Sequence, residues 1–425
     1  MPGVITDIKA QEILTNIGTA TTRVYLCVDN THWGIADMPL GICNCHAEAR
    51  VIQDEDDRFR GTGTRKAVAN IMDIIRPALV GKSVLDQGAL DAALIELDGT
   101  PDRSGLGGNT LYPVSLAAAK AAAASKGMPL YRHLNPEANV LPVPWVSLLV
   151  GGWQGDNAMD IQDISMMSAK STSFAQAMEF TVDYFYRLKE VLIEKHGTSA
   201  AGFTMDGGFS SPVGPTVQAL DLLMEALHRC GGEDLGRFHI DVAASNFYDP
   251  DTRTYEFEGK TRTPEGMLDW ARDVSRQYPR VKVWEDVVEQ YDVQGYRELV
   301  TTLPDHMIVG DDVFGTDPER IQRGFEANAV TAALCKIDQP GTLTQALEAG
   351  AYTRDKGTLV MSVRAVETED NAICDASVAL GAPFIKTAGI QGSERASKYN
   401  RLLEIEAELG SDAVYSGNQV NFDAL

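Results

Sequence analysis

Beyond about residue 140 short apolar runs of high β propensity alternate with longer amphipathic stretches of helical spacing, without a convincing internal sequence repeat. The segments 146–150, 237–242, 281–284, 306–309, 334–337 and 359–362 read as strands. The segments 173–194, 264–277 and 318–326 read as helices. Strands separated by helices cannot pair as tight hairpins, so the rhythm predicts a parallel sheet with helical crossovers. Several of the strands run into an ionisable residue: Asp241, Glu285, Asp311, Lys336 and Arg364. In a β/α barrel the C-terminal strand ends converge on one mouth, which is where this pattern places the chemistry.

The first part of the chain is built differently. Thr22 to Val28 partly alternates and reads as a strand, Lys66 to Leu79 has helical spacing, and Pro113 to Lys126 is an alanine-rich helix stopped by Gly127 and Pro129. Two prolines stiffen Val140-Leu141-Pro142-Val143-Pro144 into an extended segment. We therefore expect two domains, 1–140 and 141–425, as befits a chain of 425 residues. From Gly410 onward the chain reads as a loose tail.

A net charge of −23 argues against nucleic acid or anionic membrane as a partner. It leaves small anionic substrates open, because local lysines, arginines or a metal can invert the field in a cleft. No apolar run approaches the ~20 residues needed to cross a bilayer. Met1 to Ala10 has no secretory pattern, and the six cysteines are scattered, so a reducing cytoplasm is the expectation. Cys43-Asn44-Cys45-His46 is spaced too tightly for a usual zinc site.

Asp241, Glu285 and Asp311 end successive strands. Carboxylates converging from neighbouring strands suit a hard cation such as Mg²⁺. Each alone could equally cap the helix that follows; three in one rhythm favour the metal. Lys336 ends an apolar strand where a cation and partial burial would make its neutral amine accessible as a base, unless its head simply reaches solvent. Lys386 has the same placement on a later strand and could hold a carboxylate, an enolate or a phosphoryl group. Arg364 could clamp an anion through two parallel bonds. Together these groups describe proton abstraction or enolate stabilisation next to a carboxylate.

At these residues the chain resembles the enolase family. The resemblance is carried by Leu97-Asp98-Gly99-Thr100, Gly207-Gly208-Phe209, Asp241-Val242-Ala243-Ala244-Ser245, Gly310-Asp311-Asp312, Glu367-Thr368-Glu369-Asp370 and Ser393-Glu394-Arg395-Ala396-Ser397-Lys398-Tyr399-Asn400-Arg401. It implies an α/β fold, an enolase-type TIM-like barrel with an irregular first turn under an N-terminal α+β capping domain, and a homodimer. It also implies that Asp241, Glu285 and Asp311 hold Mg²⁺, that Lys336 is the base, that Lys386 faces the substrate carboxylate and that Arg364 holds a phosphate.

Elsewhere the chain departs from the family pattern. Two family glutamates are shortened, to Asp206 before Gly-Gly-Phe and to Asp163 after Gln162. Gln154 stands where the family's Gly-Gly-Ser-His loop has its histidine, and Ser362-Val363-Arg364-Ala365 lacks a histidine and a serine. The mobile loop pattern is absent from Met38 to Cys45, and Asn16 to Ala20 replaces another family segment. Groups that bind metal, remove a proton and grip an anion remain, whereas those serving a departing hydroxide have changed. Asp206 and Asp163 are the candidate replacements there, with Gln154 and Gln162 as substrate contacts.

This pattern favours a Mg²⁺-dependent enzyme of specialised phosphonate metabolism, acting on an enolpyruvate or phosphoglycerate scaffold. The reaction that fits is the joining of a CMP-activated phosphonoformyl group to an enolpyruvyl unit, as in antibiotic biosynthesis. The alternatives are a phosphopyruvate hydratase, converting 2-phosphoglycerate to phosphoenolpyruvate, and a non-catalytic enolase-like protein.

Overall fold

The computed structural model describes residues 3–42, 45, 47–155 and 157–425. The chain opens with three antiparallel strands, β1 (Ile5–Leu14), β2 (Ala20–Val28) and β3 (His32–Asp37), joined in sequence order. A helical stretch then runs from Arg65 to Leu79, with a widened turn over Asn70–Ile75. Two helices follow, α1 (Gln87–Asp98) and α2 (Gly108–Ser125). Val24, Leu26 and Val28 of β2 face the same way and are buried together with Leu111, Val114, Ala117 and Ala121 of α2.

Helix α2 begins at Gly108, five residues before the proline that the sequence pattern takes as its start. Pro113 lies in the second turn, where its missing N–H costs one helical bond. The earlier start is fixed by Asn109, whose side chain accepts from the backbone of Ile52 at 3.0 Å and donates back to it at 2.9 Å. The run of buried alanines lets the helix approach the sheet closely. Gly34 of β3 completes that fit, because a Cβ there would overlap the Ala117 carbonyl.

Eight strands form the second layer: β4 (Val143–Val150), β5 (Asp163–Ser168), β6 (Gly236–Asp241), β7 (Val281–Glu285), β8 (Met307–Gly310), β9 (Ala332–Cys335), β10 (Thr358–Ser362) and β11 (Phe384–Lys386). Strand β11 pairs with β4, Phe384 opposite Val143, and closes the barrel. Strand β5 runs antiparallel to β4 and β6; every other neighbouring pair is parallel. The irregular first turn is thus present.

The outer helices are α3 (Phe174–His196), α4 (Thr216–Arg229), α5 (Pro264–Gln277), α6 (Val293–Thr302), α7 (Pro318–Glu326), α8 (Leu343–Lys356), α9 (Ala372–Leu380) and α10 (Ser393–Leu409). Among the described residues no helix is long and apolar enough to cross a membrane.

The segment after Gly410 is not loose. Val414 and Tyr415 pair with Val140 and Leu141, Tyr415 and Phe422 are buried, and Asp423 bonds Arg237 at 2.6 Å. Two aromatic side chains hold it down, a signal that its polar composition hides.

Candidate active site

Strand register assembles the site. Glu285 lies opposite Asp241 across the β6–β7 pair, and Asp163 lies opposite Asp241 across the β5–β6 pair. Lys386 lies opposite Ser362 and Trp145. The Lys386 ammonium therefore lands among carboxylates, 2.7 Å from Asp241, 3.0 Å from Glu285 and 3.3 Å from Asp163. Burial alone would lower its pKa, but Asp163, Asp241 and Glu285 hold it well above the ordinary lysine value. Gln162 donates to Asp241 at 2.8 Å.

Lys336 reaches the next acid. Its Nζ is 2.6 Å from Asp311, both side chains being nearly buried, so the solvent-facing reading of this lysine does not describe the structure. Nor do Asp241, Glu285 and Asp311 cap the helices that follow them. Those helices, α5, α6 and α7, take their side-chain caps from Thr263, Asp292 and Asp317.

Further acids crowd the mouth. Asp286 accepts from the backbone N–H of Asp311 at 3.1 Å, from that of Asp312 at 2.8 Å and from the Tyr296 hydroxyl at 2.6 Å. Carboxylate oxygens of Asp286, Asp311 and Asp312 lie within 4.8 Å of one another. Burial, then repulsion from Asp311, pushes the Asp286 carboxyl up to about 7, and it raises Asp312 well above the carboxylate range. Glu285 is raised in the same way, by burial and then by Asp241, with Lys386 opposing.

The donor set fits a divalent cation. It consists of buried carboxylate oxygens, the ligand type that Mg²⁺ prefers, crowded closely enough that Glu285, Asp286 and Asp312 are raised above the ordinary carboxylate range. One oxygen of Asp312 is buried without a hydrogen-bond partner. Among the described residues this compact acid trio includes Asp311 but neither Asp241 nor Glu285, the other two ligands expected from sequence, whose oxygens face the Lys386 ammonium instead.

Across the cleft lies Asp206, 4% exposed and 3.4 Å from the Arg395 guanidinium. Burial, opposed by Arg395, raises its carboxyl to about 7. Arg364 donates through Nη1 to Asp338 at 2.8 Å and through Nη2 to Glu48 at 2.6 Å. Gly41 passes directly over this guanidinium, where a Cβ would overlap Nη2.

One cleft is lined by Gln154, Gln162, Asp163, Asp206, Asp241, Asp311, Lys336, Arg364 and Lys386. Glu285 stands behind Lys386, fully buried, and His239 bonds it at 2.7 Å. Burial pushes the His239 imidazole down to about 3, with Lys386 adding to the effect. Of the Cys43–His46 segment, only Cys45 lies within the described residues. Its thiol donates to the Asp312 carbonyl at 3.4 Å, and burial pushes it up to about 12.

Glu48, His239, Asp286, Asp312 and Asp338 were not anticipated. Two of them had a signal. His239 and Asp241 are two apart on a strand and must share its inner face, and Asp338 is two residues beyond Lys336.

Residues 5–134 match the model for the enolase N-terminal domain, and residues 138–424 match that for the enolase C-terminal TIM barrel domain. The enolase of Methanopyrus kandleri is 39% identical over 421 residues, which is 98% of each chain.

Proposed function

The chain belongs to the enolase family, and from that premise we propose that it is a Mg²⁺-dependent lyase, whose best-supported reaction is the interconversion of 2-phosphoglycerate and phosphoenolpyruvate. One observation carries this reading. A lysine for proton removal and a carboxyl poised near neutrality line the same cleft, at the acid-rich mouth of the barrel. A hydratase needs that pair, a base for the carbon proton and an acid for the departing hydroxide.

Asp241, Glu285 and Asp311 would hold Mg²⁺. Bound there, the ion would stabilise enolate charge and offset the Asp311 charge that lies against Lys336. Lys336 would take the proton from the carbon next to the carboxylate. Lys386 would stand beside the developing negative charge. Arg364 would hold the phosphoryl group, with Gln154 and Gln162 orienting the substrate. Asp206, whose carboxyl is raised to about 7, would in its protonated form give its proton to the departing hydroxide, with Asp163 as its neighbour.

A second reading keeps the base and the metal but changes the partner, joining a CMP-activated phosphonoformyl group to an enolpyruvyl unit. It is favoured by Gln154, Val363 and Ala365, which replace two histidines and a serine around the cleft and remove titratable groups from the leaving-group side. Purified protein with Mg²⁺ and 2-phosphoglycerate, followed by ³¹P NMR, separates the two. Turnover near 10 s⁻¹, about the enzyme median, supports the hydratase. Turnover below about a hundredth of that favours the second reading.

A further inference from the structure

The anion-holding arginine of this cleft is already gripped at both ends of its fork. Asp338 takes Nη1 at 2.8 Å, and both side chains are 3% exposed. Glu48 takes Nη2 at 2.6 Å from the capping side, with 19% of its side chain exposed. Its other oxygen accepts from Gln339 at 3.2 Å, and Gln339 accepts from Thr316. Asp338 is thus sealed in place, whereas Glu48 keeps partial access to solvent. One guanidinium charge faces two carboxylates in a site of low dielectric, where such terms are strong. Arg364 is not the strongly positive anchor that its position alone suggests.

We propose that Glu48 and Asp338 are specificity-determining residues: Asp338 permanently offsets the Arg364 charge, and Glu48 occupies the arginine as an internal anion that a substrate's phosphoryl or phosphonyl group must displace. A free anion lacks the carboxylate contacts that would offset this displacement. Only a ligand anchored elsewhere in the cleft, by Lys386 or by metal, gains enough to take Glu48's place. Burial pushes the Asp338 carboxyl up to about 6, with Arg364 opposing and Glu48 and Glu367 adding to the rise, as expected of a crowded counter-charge.

The inference rests on the reading of Arg364 as the phosphoryl-holding group, and the test separates the two. Inorganic phosphate is titrated into the full chain by calorimetry, with Mg²⁺ and ionic strength fixed. Glu48→Gln and Asp338→Asn keep side-chain shape and remove charge. Each is expected to bind phosphate at least tenfold more tightly than the parent, or about 1.4 kcal/mol. Unchanged or weaker binding in both overturns the proposal, because the carboxylates would then only orient the guanidinium. Circular dichroism and thermal melting check that Asp338→Asn folds; if it does not, Glu48→Gln, at the more exposed partner, decides alone. Glu48→Gln combined with Arg364→Gln should lose the gained affinity. If the gain persists, phosphate is binding elsewhere, and the role given to Arg364 fails with the proposal.

Discussion

At the scale of single residues, the chemistry turns on which groups share a charge. Lys336 pairs with Asp311, so its value as a base depends on how that acid is otherwise engaged. Lys336→Ala should cut turnover by about 10²- to 10⁴-fold while leaving substrate affinity within a few fold, and solvent-deuterium exchange next to the carboxylate should vanish with it. Retention of more than a tenth of parent turnover would leave the lysine no role as base. Asp206 carries a second prediction. Its carboxyl titrates near 7 when folded against a reference of 3.8. Between those values the folded chain holds a proton that the unfolded chain has released. Stability of the metal-free protein should therefore be highest at low pH within this window and fall as pH rises to about 7, by up to a few kcal/mol. Asp206→Asn should flatten that slope in urea melts run at pH 5 and pH 8; an unchanged slope assigns the effect to another acid.

These residues were unevenly legible. Asp241, Glu285 and Asp311 stand at strand ends, where period and register leave little freedom, and sequence alone locates them. Glu48 and Asp338 are visible only when folded, because their meaning is a contact with Arg364 made across 316 and 26 residues of chain. Nothing in the local pattern distinguishes them from solvated acids.

At the scale of elements, most barrel strands were legible because each is a short, largely buried apolar run, but β5 (Asp163–Ser168) was missed because Asp163, Ser165 and Ser168 interrupt its apolar residues. That strand's reversed direction is fixed by its pairing with β4 and β6, which local composition does not encode. The tail after Gly410 was misread because its two buried aromatics are separated by polar residues. The capping sheet offers a clean test of how tightly elements pack. Gly34→Val would drive a branched side chain into the Ala117 carbonyl of α2. The cost should be at least about 1–3 kcal/mol, the usual range for overpacking, read as a lower denaturation midpoint. A neutral effect would mean that α2 can slide along the sheet.

At the scale of the whole molecule, the argument is electrostatic. The chain carries a net charge of −23, and its mouth crowds buried acids closely enough that Glu285, Asp286 and Asp312 are raised above the ordinary carboxylate range. Such a cluster destabilises the folded state until a cation enters, so metal binding and stability must be linked. At a Mg²⁺ concentration a hundredfold above its dissociation constant, linkage supplies about 2.7 kcal/mol. Unfolding entropy near 2.1 cal/mol/K per residue makes about 0.9 kcal/mol/K for a chain of this length, so the melting midpoint should rise by about 3 °C. The rise should disappear with EDTA and in Asp241→Ala, whose loss removes one of the carboxylates that hold Lys386 as well as a proposed metal ligand. Asp241→Ala therefore has two opposite consequences. Without metal it relieves repulsion with Glu285, so the variant should melt no lower than the metal-free parent by more than the lost ion pair allows. With Mg²⁺ present it should melt clearly below the parent. A parent whose midpoint ignores Mg²⁺ at millimolar concentration would show that the acids are balanced some other way, and the lyase reading would lose its metal.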